Sequence, residues 1–307
     1  MNESLTDDAQ TASLPSRNNE EVNVSQLDLI TPAEDKAFRK DGYLLLKSVF
    51  SPAEVQSLLA EVHRVVDDAV SVGAILREET YVFNENSFRL VRILRRSKMF
   101  DHLMDHAGYF GKLVSLIGFH IQLMGTEIFV RGPSEEAIVN FHTDLGEGLQ
   151  QILPDDENSF LQIKMQIFLT DLSGPDSGNF VLVPGSHRVR VKDTDEFCTV
   201  KSINQQISPD GRLPDNALQV LAEPGDVLFF PHSLWHAVAP NRSGRTRYSI
   251  VLRYGQLALR PYERFDPVLT DSGRTLTPRQ RRLLGDFGVD NPGPYRPSNQ
   301  AELIYGT

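Results

Sequence analysis

The amino-acid sequence predicts a mainly β fold with flanking helices, and the signals for it begin near residue 120. From there the chain divides into short runs rich in apolar and β-forming residues, at 121–130, 161–170, 179–183, 218–222, 226–230, 235–239 and 247–254. Turn signals separate them: Gly174-Pro175-Asp176, Pro184-Gly185-Ser186, Pro224-Gly225-Asp226 and Asn241-Arg242-Ser243-Gly244. Many short strands with regular turns mean a sandwich, a jelly roll or a barrel.

The run 161–170 carries more information than its neighbours. Leu161, Ile163, Met165, Ile167 and Leu169 fall on one strand face, and Gln162, Lys164 and Gln166 on the other. A polar row behind an apolar one belongs either to a barrel lumen or to a solvent face.

Before residue 120 the signals are helical. Thr31-Pro32-Ala33-Glu34 and Ser51-Pro52-Ala53-Glu54 are capping boxes with Pro at the first helical position. After the second, Val55, Leu58, Leu59, Val62, Val65 and Val66 recur at helical spacing. Between the two boxes, Tyr43-Leu44-Leu45-Leu46 suits a buried strand. Residues 75–96 are mixed, and Arg89, Arg92, Arg95 and Arg96 read as a solvated helix face or as a lid that binds anions. Thr277-Pro278-Arg279-Gln280 caps one more helix, which stops at Gly285. Residues 1–28 are polar and lack apolar periodicity, which predicts a disordered leader. Residues 29–307 then form one domain: a helical part at 29–115, a core at about 120–256 and an extension at 257–307.

Charge and composition narrow the function. The net charge of −10 argues against nucleic-acid or anionic-membrane partners, which need a basic face. The most apolar long run, 113–130, is broken by His120, Gln122 and Glu127 and reads as core rather than a membrane span. Cys198 is the single cysteine, so no intrachain disulfide can form, and a reducing cytoplasm fits. The oligomeric state leaves no trace in the sequence.

The chemistry centres on Asn140-Phe141-His142-Thr143-Asp144 and Leu234-Trp235-His236-Ala237-Val238. In extended chain, His142 and Asp144 project from one face and can meet one ion. Two imidazoles and a carboxylate on one side of an octahedron leave three adjacent positions open, as in non-haem iron(II) oxygenases. Those positions suit a bidentate 2-oxo acid and O2. Arg247 follows His236 by eleven residues, across a turn at 241–245. Strand, turn and strand would place its guanidinium on the strand next to His236, suited to the distal carboxylate of 2-oxoglutarate. Ser249 shares the face of Arg247 and can add a hydrogen bond.

At these residues the chain resembles the phytanoyl-CoA dioxygenase family of 2-oxoglutarate- and iron(II)-dependent oxygenases. The resemblance runs through Phe38-Arg39-Lys40-Asp41-Gly42-Tyr43, Val49-Phe50-Ser51-Pro52, Phe141-His142-Thr143-Asp144, Val183-Pro184-Gly185-Ser186-His187, Pro224-Gly225-Asp226-Val227, and Trp235-His236 leading to Arg247-Tyr248-Ser249. It implies a double-stranded β-helix (jelly-roll, cupin-like) core, iron at His142, Asp144 and His236, and 2-oxoglutarate at Arg247. Related halogenases carry a small residue where Asp144 stands, so the carboxylate favours hydroxylation or a related oxidation of a small metabolite or natural-product intermediate. Desaturation or epoxidation would use the same site, and a non-catalytic jelly-roll binder or a cupin-type isomerase are the other readings.

Lys164 and Gln162, with Gln166, are candidates to line the cavity and touch the co-substrate. Arg131, at the end of a strand before the metal motif, and Arg253, in phase with Arg247, are further candidates to face inward. His232, taken as extended from His236, lies ~13 Å along the strand and reads as a loop or rim histidine. His187 reads as structural and Trp235 as packing, while His63, His102, His106 and His120 match no ligand spacing.

Overall fold

The computed structural model describes residues 27–71, 80–144, 160–189, 204, 213–287 and 304. Most of the 1–28 leader and Cys198 lie outside the described residues.

Three helices precede the main β region: α1 (Pro32–Asp41), α2 (Pro52–Ser71) and α3 (Phe110–Ile117). Both N-terminal capping boxes form. Thr31 and Glu34 exchange side-chain to backbone bonds of 2.8 and 3.2 Å, and Ser51 and Glu54 do the same at 2.7 and 3.3 Å. The apolar stripe of α2 is buried, as its spacing predicts. After the strands come α4 (Asp266–Leu269) and α5 (Pro278–Leu283), the latter with the capping box of Thr277 and Gln280.

Among the described residues, eleven strands form two antiparallel sheets. They are β1 (Leu44–Leu46), β2 (Thr80–Asn84), β3 (Ser87–Val91), β4 (Ile121–Arg131), β5 (Val139–His142), β6 (Gln162–Phe168), β7 (Phe180–Leu182), β8 (Leu218–Gln219), β9 (Val227–Pro231), β10 (His236–Val238) and β11 (Arg247–Gln256). The larger sheet runs β1-β9-β6-β11-β4-β3-β2 and the smaller β5-β10-β7-β8. The pairs β1–β9, β6–β9, β6–β11, β4–β11 and β5–β10 join strands far apart in sequence, as in a jelly roll.

Period-two alternation assigns the faces of the larger sheet. Ile163, Met165 and Ile167 of β6, Val227 and Phe229 of β9, and Ile250, Leu252 and Tyr254 of β11 pack outward with Phe38, Leu58, Val62, Phe100 and Phe110 in the main core. Fully burying such a side chain stabilises by ~1.5–3 kcal/mol. The opposite row points between the sheets. Gln162, Lys164 and Gln166 are all buried there, so the polar row of β6 is interior and not a solvent face. Phe168, Phe180, Leu182, Leu228 and Phe230 close the inner layer at one end.

Two expectations are corrected. Residues around the arginine cluster form no α-helix: β2 and β3 are a hairpin added to the edge of the larger sheet through β3 and β4. Arg89 lies on β3, while Arg92 adopts left-handed backbone with φ 63° and Arg95 sits in a single 3-10 turn. The run Thr80-Tyr81-Val82-Phe83 consists of β-formers, and this preference outweighs the near-helical spacing of the arginines. Secondly, Arg247 is not on the strand beside His236. β10 pairs with β5 and β7, whereas β11 pairs with β4 and β6, so the turn between them crosses from one sheet to the other.

The turn before β9 depends on Gly225. Its φ is +96°, and an added Cβ would lie 2.5 Å from the carbonyl oxygen of Phe50. The adjoining Asp226 is fully buried and accepts from Lys47 Nζ at 2.6 Å, the Ser48 amide at 2.9 Å and the Glu223 amide at 2.8 Å. Gly225→Ala is expected to destabilise the protein by at least about 2 kcal/mol, read as a lowered Tm in thermal unfolding; an unchanged Tm would refute this view of the turn.

Candidate active site

The three metal-ligand candidates converge. His142 ends β5, His236 begins β10, and the two are directly paired in the smaller sheet. Asp144 lies in the bend after β5, where its amide donates to the carbonyl of His232 at 2.9 Å. One ligating atom from each of the three side chains lies within 4.8 Å of the others. The imidazole centroids of His142 and His236 are 4.2 Å apart, and His236 Nε2 is 3.5 Å from Asp144 Oδ2.

Local hydrogen bonds orient both rings. His142 Nδ1 lies 2.9 Å from the carbonyl of Asn140, and His236 Nδ1 lies 2.8 Å from that of Leu234. A proton on each Nδ1 satisfies those carbonyls and leaves the Nε2 lone pairs for the centre. Burial lowers the pKa of both imidazoles, His236 to about 3 with help from the neighbouring His142. Burial alone would raise the Asp144 carboxyl, but Lys164, His236 and Arg253 override it and hold the group ionised. Neutral imidazoles and an ionised carboxylate are the forms in which these side chains ligate a metal.

Lys164, from the larger sheet, forms an ion pair with Asp144 Oδ2. Burial, then the nearby Arg253, lowers its pKa to about 8. Arg247 is buried and donates to the carbonyl of Gly178, and its Nη2 is 3.5 Å from Ser249 Oγ. Gln166 Nε2 donates to the same hydroxyl at 2.9 Å. Arg253 forms a two-pronged contact with Glu127 at 2.7 and 3.1 Å, and Arg89 meets the other oxygen of Glu127 at 3.1 Å.

These groups surround one cavity of about 570 Å³ between the sheets. His142, Thr143, Asp144 and His236 line one side, and Lys164, Gln166, Arg247 and Arg253 the other. Val139, Phe180, Phe230, Val238 and Val251 supply apolar wall, and Tyr81, Val82 and Phe83 of β2 form a rim.

Not every sequence-predicted residue reaches the cavity. Gln162 points to the far end of the row and bonds the Tyr262 hydroxyl at 2.8 Å, so it does not line this space. Ser249 sits behind Arg247 rather than in the wall. His232 is not at a rim: residues 232–234 turn instead of extending, and His232 is buried with Nδ1 3.1 Å from the carbonyl of Gln162. His187 packs under α1, with Nε2 3.1 Å from the carbonyl of Arg39. Trp235 packs with Phe141, Val181 and Val183. His63 meets the Tyr248 ring and His106 the rings of Phe50 and Tyr109, away from the triad.

Sequence reasoning missed the β2–β3 hairpin, which brings Tyr81, Val82, Phe83 and Arg89 to the cavity. The signal was present: Thr80-Tyr81-Val82-Phe83 before Asn84-Glu85-Asn86 and Ser87-Phe88-Arg89-Leu90-Val91 after it. It also missed Glu127, whose carboxylate gathers Arg89 and Arg253.

Comparison with known proteins identifies the family. Residues 38–249 match the phytanoyl-CoA dioxygenase (PhyH) family. The chain is 27% identical over 254 residues to ectoine dioxygenase of Bordetella bronchiseptica, covering 75% of this chain and 77% of that one. It is 26% identical over 269 residues to a probable alpha-ketoglutarate-dependent hypophosphite dioxygenase of Stutzerimonas stutzeri, covering 81% and 89%. Among solved structures, HygX from Streptomyces hygroscopicus, with nickel and 2-oxoglutarate bound, superposes with a TM-score of 0.61 at 18% identity over 77% of this chain and 91% of HygX. The carbocyclase SnoK from nogalamycin biosynthesis gives 0.57 at 19% identity, over 74% and 84%. With a family match across most of its length and a jelly-roll fold that carries two histidines and an aspartate at one point, this chain belongs to the phytanoyl-CoA dioxygenase family and is a dioxygenase of the iron- and 2-oxoglutarate-dependent kind.

Proposed function

We propose that the protein hydroxylates an unactivated C–H bond of a small-molecule metabolite or natural-product intermediate, with His142, Asp144 and His236 as the iron ligands and Arg247 as the anchor of 2-oxoglutarate. The observation that carries this reading is the convergence of two Nε2-directed imidazoles and one ionised carboxylate within 4.8 Å on the wall of a cavity whose opposite wall holds a buried guanidinium. Iron(II) bound at this donor set supplies O2 activation coupled to decarboxylation of 2-oxoglutarate, giving succinate and CO2.

The chain's own residues then divide the work. The Asn140 and Leu234 carbonyls fix the two rings, so the ligating nitrogens need little reorganisation on binding. Lys164 holds one oxygen of Asp144 in place by its ion pair. Arg247 offers a fork to the distal carboxylate, with its own position fixed by the Gly178 carbonyl and the Ser249 hydroxyl. Val139, Phe180, Val238 and Val251 keep the reacting carbon in an apolar setting. The lone cysteine and the net charge of −10 fit a cytoplasmic setting.

Anaerobic calorimetry with Mn(II) and 2-oxoglutarate tests the residue roles. His236→Ala is expected to lose Mn(II) binding. Arg247→Met is expected to keep Mn(II) but weaken 2-oxoglutarate by roughly tenfold to hundredfold, the worth of a charge-assisted fork. Wild-type affinity for 2-oxoglutarate in Arg247→Met would refute its assignment. For the reaction itself, Fe(II) and ascorbate should allow succinate formation that rises with a hydroxylatable substrate, one hydroxylated product forming per succinate; a desaturated or epoxidised product would contradict hydroxylation.

A further inference from the structure

The cavity carries more positive charge than iron and 2-oxoglutarate use. Among the described residues, five cationic side chains line it, Arg89, Arg131, Lys164, Arg247 and Arg253, and two carboxylates meet them, Asp144 and Glu127. The difference is three positive charges. A ferrous ion and a 2-oxoglutarate dianion entering together add none. Glu263, in an adjoining pocket, removes at most one of the three, since burial raises its carboxyl pKa to about 7. Each charge held away from water costs several kcal/mol unless it is paired. An excess of this size is therefore a feature that an incoming anion offsets.

One of these three charges has no carboxylate beside it. Lys164 is neutralised by Asp144, Arg89 and Arg253 share Glu127, and Arg247 has its assigned carboxylate. Arg131 is left. It is 1% exposed, yet no carboxylate among the described residues lies within ion-pair reach. Among the described residues, its Nη1 reaches two backbone carbonyls, Phe88 and Val130, each at 3.3 Å, and its Nε meets no hydrogen-bond partner. The guanidinium lies 4.1 Å from the ring centre of Phe83 and 4.8 Å from that of Phe129, which hold its plane without neutralising it. Phe83 belongs to the rim, where Tyr81 and Val82 are 51% and 55% exposed. A ligand entering there meets apolar and aromatic surface first and, behind it, a fixed cation that no described carboxylate pairs.

We propose that Arg131 is the specificity residue for the primary substrate, which is an organic acid: an anionic group seated on the Arg131 guanidinium and an apolar or aromatic body against Tyr81, Val82 and Phe83. This deepens the reading of the same cavity as an iron and 2-oxoglutarate site and rests on it. The rival use of Arg131 is a second contact to 2-oxoglutarate, since it faces Arg247 across the β4–β11 register. The two uses are separable by which ligand an Arg131 variant loses.

The test uses full-length protein loaded with Mn(II) and saturating 2-oxoglutarate, without O2. It is titrated calorimetrically with phenylacetate, phenylacetamide and phenethylammonium, which share a body and differ in charge. Phenylacetate should bind at least about tenfold more tightly than the amide, with the ammonium weakest. Arg131→Met, which keeps the volume between Phe83 and Phe129, should erase that preference while 2-oxoglutarate affinity stays within about twofold; Arg131→Lys should restore part of it. Equal or undetectable binding of the three probes to the wild type overturns the proposal. So does an Arg131→Met variant that loses 2-oxoglutarate as Arg247→Met does, which would make Arg131 a co-substrate residue. If the wild type binds neither Mn(II) nor 2-oxoglutarate, the iron reading fails first and this inference falls with it.

Discussion

The ion pair between Lys164 and Asp144 joins the two halves of the site. Lys164 stands on β6 of the larger sheet, and Asp144 follows β5 of the smaller one, so the contact spans the gap between the sheets. Desolvating both charges is expensive, and such pairs rarely stabilise a fold more than apolar residues of the same size would. Its value here is positional. It holds the carboxylate ionised beside two imidazoles that burial keeps neutral, and the three side chains meet in the protonation states that a metal requires. Much of the remaining interior can be understood from that arrangement. The larger sheet supplies cations, the smaller sheet supplies ligands, and substrate space is what lies between.

The same division explains how the interior tolerates so many charges. Alternation on β4, β6 and β11 sends one row to the apolar core with α1 and α2 and the other row inward. Glu127 on β4 and Arg253 on β11 meet within that inner row, and Arg89 joins from the hairpin. Polar groups that would be costly alone are therefore satisfied by neighbours on the adjacent strands. Arg131 departs from this pattern, with aromatic faces rather than a carboxylate beside it.

Much of this could be read from the chain. Capping boxes located α1, α2 and α5, period-two patterning located β6, and runs of apolar and β-forming residues located β4 and β11, because these signals are local. The triad was legible for the same reason, since His142 and Asp144 lie two apart and His236 opens its own strand. Sheet membership was not. A short turn between two strands ordinarily means a hairpin, and residues 241–245 fit that rule, yet here the chain passes from the smaller sheet to the larger, and Arg247 faces His236 across the cavity instead of beside it. That choice depends on which strands already occupy the edges, which no local pattern records. The arginines at 89–96 misled in the opposite way, as their spacing imitated a helix face while the β-formers before them had already set a hairpin. Gln162 shares the parity of Lys164 but not its depth along the barrel, and parity alone could not separate them.

A metal bound by residues 142, 144 and 236 is the central claim, and diffraction tests it most directly. Crystals of the protein grown with Mn(II) and 2-oxoglutarate, recorded at the manganese absorption edge, should give one strong anomalous peak bonded to Nε2 of both histidines and to an Asp144 oxygen. A peak elsewhere, or rings turned so that Nδ1 faces the ion, would contradict it.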